Sequence, residues 1–223
     1  MSDLQRFIDG FCRFQQHFFE ETPELFEQLR GGQRPGTLLI GCCDSRVDPA
    51  LLLGVDPGDI FTIRNIGNLV PPCVAGTRHQ GVSAAIQFAV QQLEVERIIV
   101  LGHAQCGGIR ALLENRYSIN GELDFIGRWM NIAASARDNV MSTLADATPA
   151  ERQRACEQAS ILVSLKNLQS FPWVAERVEK GLLTLHGWYF DLEAGALLAY
   201  APRSDSFLPV VCPLGVGPKR KPA

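Results

Sequence analysis

Two short apolar runs constrain the fold of this chain more than any other feature of its sequence. Residues 37–40 (Thr-Leu-Leu-Ile) and 97–101 (Arg-Ile-Ile-Val-Leu) are each followed by a glycine. Because neither run alternates with polar residues, both are typical of strands that are buried on both faces of a parallel sheet. A third strand is predicted at 60–64, after the turn Asp56-Pro57-Gly58. The core is therefore expected to be a parallel sheet.

Helical patterns lie between and after these strands. Apolar residues recur with a 3.6-residue period over residues 82–93. Further helices are predicted at about 107–115, 122–141 and 150–169, and from Pro172 onward. Residues 182–190 and 196–200 have the length and punctuation of a β-hairpin. We therefore predict an α/β fold, with a mainly parallel β-sheet of about four strands, an antiparallel edge strand and flanking helices.

The first 30 residues are predicted to form a helical arm. Six aromatic or aliphatic side chains recur there at helical spacing: Leu4, Phe7, Ile8, Phe11, Phe14 and Phe18. Such a stripe has to be buried on the same subunit or on a partner, which favours an oligomer. We interpret residues 1–223 as a single domain that includes this arm (1–30) and ends in a flexible tail at 213–223.

Composition and charge exclude several classes of function. The net charge is −3 and the only basic cluster is at 219–221, so nucleic-acid binding is not expected. No apolar run reaches the roughly 20 residues that span a bilayer, and the N-terminus lacks the pattern of a signal peptide. We therefore expect a cytoplasmic protein without a membrane span. The seven cysteines are odd in number and scattered, which argues against a disulfide framework and indicates that some of them bind a metal.

Metal-ligating side chains follow two of the predicted strands. Cys42 comes after the first strand, and His103 and Cys106 come after the strand at 97–101. Ligands bind where the carboxyl ends of parallel strands meet, so these three side chains are expected to converge there. Two cysteines and a histidine favour zinc, and three protein ligands leave the fourth tetrahedral position to water, as in catalytic sites.

Two opposite charges stand beside this predicted zinc site. Asp44 and Arg46 follow Cys42 at the second and fourth positions, and a guanidinium can hold a carboxylate through two hydrogen bonds. Without Arg46, Asp44 could become the fourth ligand and exclude water. With Arg46 in place, Asp44 can accept a hydrogen bond from zinc-bound water or hydroxide and orient its attack on the substrate. An ordinary surface ion pair is the alternative reading.

Four motifs together resemble β-class carbonic anhydrase over residues 30 to 200. They are Cys42-Cys43-Asp44-Ser45-Arg46, Arg64-Asn65-Ile66-Gly67-Asn68, His103-Ala104-Gln105-Cys106-Gly107-Gly108 and His186-Gly187-Trp188. The resemblance implies reversible hydration of carbon dioxide to bicarbonate and a proton, by attack of zinc-bound hydroxide. It also implies one Zn²⁺ per subunit and a homodimer or homotetramer.

The same resemblance implies a set of substrate-binding residues. Gln33 matches the glutamine that binds substrate or anion in the plant-like branch, often from across a dimer interface. Phe61, Ile66 and Phe88 match the apolar pocket wall, which suits carbon dioxide because the molecule has no net dipole. Phe88 departs from the pattern, since a tyrosine is usual there. Gly107 belongs to the motif that carries the last zinc ligand and is assigned to the substrate site with it.

A second branch of the family has an allosteric bicarbonate site that draws the aspartate onto zinc. Its marker tryptophan and tyrosine positions are Leu39 and Phe190 in this chain. The resemblance therefore points to the plant-like branch, in which the fourth position is open. Arg64 remains from the bicarbonate site and is expected to brace the neighbouring loop.

Two other functions remain open at this stage. The same zinc site could hydrolyse carbon disulfide or carbonyl sulfide, which are also small, linear and apolar. A non-catalytic zinc module would instead need a fourth ligand, for which Cys43 is the nearest candidate, although adjacent residues rarely ligate one tetrahedral ion.

Overall fold

The apolar runs become neighbouring strands of one sheet in the computed structural model, which describes residues 3–74, 80–116 and 124–211. Its strands are β1 Thr37–Cys42, β2 Ile60–Asn65, β3 Arg97–His103, β4 Thr184–Asp191, β5 Ala196–Ala201 and β6 Ser206–Val211. Their order is β2-β1-β3-β4-β5-β6. The first four strands in this order are parallel to one another, β5 is antiparallel to β4, and β6 is antiparallel to β5. The predicted α/β fold with a mainly parallel sheet is confirmed.

The sixth strand was not predicted, and it moves the edge of the sheet outward from β5. Its sequence, Ser-Phe-Leu-Pro-Val-Val, contains Pro209. Proline cannot donate a hydrogen bond to a strand ladder, so it weakens the strand signal and is found at sheet edges. The pairing of β5 with β6 also shifts register between Leu197 and Leu198. This irregularity could not be recognised from residue pattern alone.

Nine α-helices occur among the described residues. They are α1 Asp3–Gln15, α2 Glu24–Leu29, α3 Pro49–Leu53, α4 Gly81–Gln91, α5 Gly107–Leu113, α6 Phe125–Met130, α7 Ala134–Thr143, α8 Pro149–Leu168 and α9 Pro172–Glu179. The helix predicted at 122–141 is divided into α6 and α7 by a short 3-10 turn. The single turn α3 escaped prediction because five residues are too few to show a period. None of the described helices is long and apolar enough to cross a bilayer.

The close approach of α8 to the sheet positions part of the metal-binding region. A Cβ atom on Gly102 would lie only 2.7 Å from Cδ1 of Ile161, and one on Gly187 would lie 2.9 Å from Cγ2 of the same side chain. Glycine is therefore required on both β3 and β4 where this helix crosses them. The helix begins at a capping box, in which Thr148 and Glu151 satisfy each other's backbone amides. It thus carries its side chains to a fixed position on the sheet.

The chain divides into two compact units at residues 34 and 35. The first unit contains α1, a π-helical turn at Gln16–Glu21 and α2, as predicted for a helical arm. Phe14 packs against Phe18 and Phe26, whereas Phe7 and Phe11 are 64% and 63% exposed. The single-domain organisation stays a prediction, and the tail at 213–223 lies outside the described residues.

Candidate metal centre

The three predicted zinc ligands converge at the carboxyl ends of β1 and β3. Cys42 ends β1 and His103 ends β3, and the two strands are parallel neighbours. Cys106 follows as the residue that precedes α5. The ligating atoms of the three side chains all lie within 4.8 Å of one another, and the two Sγ atoms are 4.0 Å apart. All three residues are buried.

The donor set and its geometry fit zinc. Nδ1 of His103 lies 2.8 Å from the carbonyl oxygen of Ala104, which can only accept, so Nδ1 carries the proton and Nε2 presents a lone pair. That Nε2 atom is buried and has no hydrogen-bond partner among the described residues. Two sulfur ligands at about 2.3 Å in a tetrahedron stand about 3.8 Å apart, close to the separation of Cys42 and Cys106. A bound metal ion would therefore satisfy the Nε2 atom that the described residues leave unpaired.

The hydrogen bond between the two thiols shifts their pKa values in opposite directions. The pKa of Cys42 is lowered well below its usual range, chiefly because the Cys106 thiol donates a hydrogen bond to its sulfur. The same hydrogen bond, together with burial, raises the pKa of Cys106. The backbone amide of Asp44 also donates to the sulfur of Cys42, at 3.4 Å. Metal binding would displace the remaining proton, because thiolates are the ligands of zinc.

Asp44 and Arg46 form the two-point ion pair that their spacing predicts. Nε of Arg46 donates to Oδ1 of Asp44 at 2.9 Å, and Nη2 donates to Oδ2 at 2.7 Å. These hydrogen bonds hold the pKa of the Asp44 carboxyl well below its usual range. Oδ2 of Asp44 lies 4.0 Å from Nε2 of His103. The carboxylate of Asp44 is therefore ionised, hydrogen-bonded to Arg46 and close to the Nε2 atom that is available to a metal.

Arg64 braces the loop that carries this ion pair. Its Nε donates to the carbonyl oxygen of Cys42 at 2.9 Å, and Nη2 donates to that of Asp44 at 2.9 Å. Its Nη1 pairs with Asp48 at 2.8 Å. Asp48 in turn accepts the first backbone amides of α3. The side chain of Arg64 thus holds the loop between β1 and α3 through three hydrogen bonds.

Glu157 supports the metal centre and was not predicted. It is 3% exposed, and its Oε1 accepts the backbone N–H of Cys106 at 2.9 Å. Gln153 donates to the same oxygen at 2.9 Å, and the hydroxyl of Tyr189 donates to Oε2 at 2.8 Å. Burial raises the pKa of this carboxyl. The only available signal in the sequence was an acidic residue on the apolar face of a helical pattern.

The expected pocket wall is divided in the structure. Ile66 lies beside the start of α5, where a Cβ on Gly108 would be 2.7 Å from its Cγ2 atom, and Gly107 opens that helix. Phe61 and Phe88 stack on each other with ring centroids 5.8 Å apart. Phe61 on β2 lies opposite Leu38 on β1, and Leu38 is four residues before Cys42 along that strand. Four residues of extended strand span about 13 Å, so the structure does not bring this aromatic pair to the metal ligands of the same chain.

Two further predicted positions are exposed to solvent. Gln33 is exposed and belongs to the first unit. Cys43, the candidate fourth ligand, is exposed and does not join the three-residue cluster found among the described residues.

The position of the allosteric site in the other branch is apolar here. Leu39 is fully buried in a cluster with Ile99 and Leu101, against which Phe190 packs. A cavity of about 170 Å³ adjoins this cluster and is lined mainly by apolar side chains such as Leu52. Neither the cluster nor the cavity lining contributes a hydroxyl or an indole N–H at the two marker positions.

Comparisons with known proteins agree with this geometry. Residues 37–197 match the family model described as carbonic anhydrase. A carbonic anhydrase of Synechocystis sp. is 38% identical over 197 residues, which cover 88% of this chain and 71% of the relative. The solved structure of the β-carbonic anhydrase CcaA has a TM-score of 0.86 and 37% identity, covering 94% of this chain and 92% of that one.

A second solved structure extends the comparison to fungi. It is one of two tetrameric β-carbonic anhydrases from Sordaria macrospora, with a TM-score of 0.74 and 29% identity, covering 88% of this chain and 94% of that one. The family model spans well over half of the present chain, and it includes the three residues that could hold a metal ion, Cys42, His103 and Cys106. The chain therefore belongs to the β-class carbonic anhydrase family.

Proposed function

We propose that this protein is a zinc enzyme that catalyses the reversible hydration of carbon dioxide to bicarbonate and a proton. The observation that carries the proposal is a buried site of three ligands beside a carboxylate that an arginine holds. Three ligands leave a coordination position for a reactant, as a structural zinc site would not. Membership of the carbonic anhydrase family supports the same activity. Zinc content combined with a hydration assay tests it.

The residues of the chain have separable tasks in this reaction. Cys42, His103 and Cys106 would hold one zinc ion per subunit. When bound, zinc supplies a Lewis acid that lowers the pKa of water toward neutrality. The carboxylate of Asp44 would accept a hydrogen bond from the water or hydroxide that attacks carbon dioxide. This hydrogen bond would direct a lone pair of the attacking oxygen at the substrate carbon. Arg46 keeps that carboxylate ionised and in place, because it donates to both of its oxygens.

We further propose that the fourth position is open at neutral pH, as in the plant-like branch. Arg46 occupies both oxygens of Asp44, and Leu39 and Phe190 offer no polar groups to a bicarbonate switch. Bicarbonate should then inhibit only as a simple product. A crystal structure of the zinc protein near neutral pH tests this. An Asp44 oxygen at about 2.0–2.2 Å from zinc would contradict the proposal.

The alternative functions have less support. The relatives are carbonic anhydrases, which does not favour carbon disulfide or carbonyl sulfide as substrates. Cys43 lies outside the cluster of possible ligands, which does not favour a closed structural site with Cys43 as the fourth ligand. Parallel turnover assays with the three gases separate these possibilities, since a carbonic anhydrase should prefer carbon dioxide by a wide margin.

We propose a homodimer or homotetramer in which Gln33, Phe61 and Phe88 serve the site of another subunit. The distance of the aromatic pair from its own metal ligands supports this, as does the 45% exposure of Phe88. The tetrameric Sordaria relative and the exposed side chains of α1 are further support. Solution mass tests the assembly. Deleting residues 1–20 should lower solubility or stability, whereas a fully active monomer at micromolar concentration would contradict the proposal.

Mixing subunits of two different variants tests whether one subunit contributes residues to the site of another. Mixed oligomers of Cys106→Ser and Phe88→Ala subunits should recover activity that neither variant has alone, because one site in the mixture is intact. No recovery in mixtures that do assemble would contradict the shared pocket.

We propose a cytoplasmic location as well. The seven cysteines are odd in number and scattered, a pattern more typical of a reducing compartment than of disulfide-bonded secreted proteins, and this supports the proposal. Cell fractionation of the host with an antibody against the protein is the test, and recovery in the membrane or an extracytoplasmic fraction would contradict it.

A further inference from the structure

The guanidinium of Arg46 is held on two sides, and Asp44 is only one of them. On the other side, Nη2 donates to the carbonyl oxygen of Gln105 at 3.1 Å, and Nη1 approaches Oε1 of the same residue at 3.5 Å. Gln105 has a φ of 57°, in the left-handed region that residues other than glycine rarely adopt. One residue with an unusual backbone therefore contacts the arginine through both its main chain and its side chain.

Gln105 is in turn held by the turn between β4 and β5. Its Nε2 donates to Oε1 of Glu193 at 2.5 Å. The turn is fixed, because the buried Asp191 accepts the backbone N–H groups of Glu193 and Ala194 at 3.1 Å each. Asp191 also pairs with Arg154 of α8 at 2.7 Å. Glu193 is therefore offered to Gln105 from an anchored backbone, 88 residues further along the chain.

This support matters because Asp44 has another place to bind. Its Oδ2 lies 4.0 Å from Nε2 of His103, one of the proposed ligand atoms, so the carboxylate is near enough to compete for a metal ion bound there. The side chain of Arg46 is 47% exposed although that of Asp44 is only 18% exposed, so water can compete for the guanidinium. Additional hydrogen bonds to the guanidinium therefore help to keep it on the carboxylate.

We propose that Gln105 and Glu193 are positioning residues, which hold Arg46 on Asp44 and so keep the fourth metal position open. Neither residue touches the metal ligands' donor atoms, and both act through Arg46. The inference rests on the proposed open site. It adds that the hairpin turn, and not the ion pair alone, determines how often that site is free.

Azide binding to the Co(II)-loaded protein, followed by its visible absorption spectrum, measures the availability of the fourth position. Glu193→Ala removes the acceptor for Gln105, and we expect azide affinity and kcat/KM for carbon dioxide each to fall by about tenfold. Glu193→Gln retains an amide oxygen that accepts the same hydrogen bond. This matched variant is expected to bind azide as the parent does.

A second comparison shows whether the effect passes through Asp44. An amide competes poorly for a metal, so adding Glu193→Ala to Asp44→Asn should leave azide affinity unchanged. The same loss in that background would overturn the proposal, as would parent-like azide affinity in Glu193→Ala alone. A parent protein that holds zinc but does not hydrate carbon dioxide would contradict the proposed function instead, and the azide comparison would still decide the positioning role.

Discussion

Replacement of Glu157 by alanine tests whether the hydrogen bonds of this buried carboxylate support the candidate metal centre. The change removes the acceptor for three donors: the amide of Cys106, the hydroxyl of Tyr189 and the side chain of Gln153. The first two donors are buried, and each is left unsatisfied at a cost of about 1–3 kcal/mol. Gln153 is half-buried and can turn toward water. The free energy of unfolding should therefore fall by about 2–6 kcal/mol.

That loss corresponds to a fall in Tm of about 5–20 °C for a chain of this size. Because Glu157 fixes the backbone of a zinc ligand, zinc affinity should also fall by about 10–100-fold. Thermal unfolding of the metal-free protein measures the first effect, and competition with a chromophoric zinc chelator measures the second. Glu157→Gln keeps one acceptor oxygen and the same shape, so its losses should be smaller.

Glu176 provides a matched control on α9, since its side chain is 63% exposed and, among the described residues, pairs only with Lys180 in the next turn. Glu176→Ala should change stability by no more than about 0.5 kcal/mol and leave zinc affinity unaltered. If Glu157→Ala behaves like this control in both assays, the hydrogen bonds of Glu157 do not support the metal centre and the reasoning is refuted.

Three further changes test the site. Cys106→Ser should abolish hydration and most bound zinc, and a variant that retains one tight equivalent of zinc in metal analysis would remove this residue from the ligand set. Gly108→Ala places a methyl group against Ile66 and should lower the free energy of unfolding by about 1–3 kcal/mol. The control Gly107→Ala places its methyl group in open space and should unfold at the same midpoint as the parent. Equal unfolding midpoints for the two variants would contradict the packing of Gly108 against Ile66. In the metal-free protein, the hydrogen bond from Cys106 holds the pKa of Cys42 well below the value of about 8.5 for an unfolded cysteine, so stability should decline as pH falls below about 8.5. Unfolding midpoints should show less of this decline in Cys42→Ser, and identical pH profiles would count against a lowered pKa.

The strands, and the convergence of Cys42, His103 and Cys106, were predictable because their signals are local. A continuous apolar run indicates a strand buried on both faces wherever it occurs, and β1 and β3 are such runs. The spacing of His103 and Cys106 fixes their proximity through three residues of backbone. The spacing of Asp44 and Arg46 likewise lets one side chain reach the other. These features needed no knowledge of which helix packs where.

Other parts of the site depend on contacts between distant segments, and no residue pattern specifies them. Glu157 reaches Cys106 across 51 residues, only because glycines on β3 and β4 let α8 lie close to the sheet. The placement of Phe61 away from Cys42 follows from strand register, which motif spacing does not reveal. Residue type and spacing are enough to show which side chains can bind zinc and which can pair beside it. Which other side chains hold them in place depends on how α8 and the hairpin turn dock, and local patterns do not encode that docking.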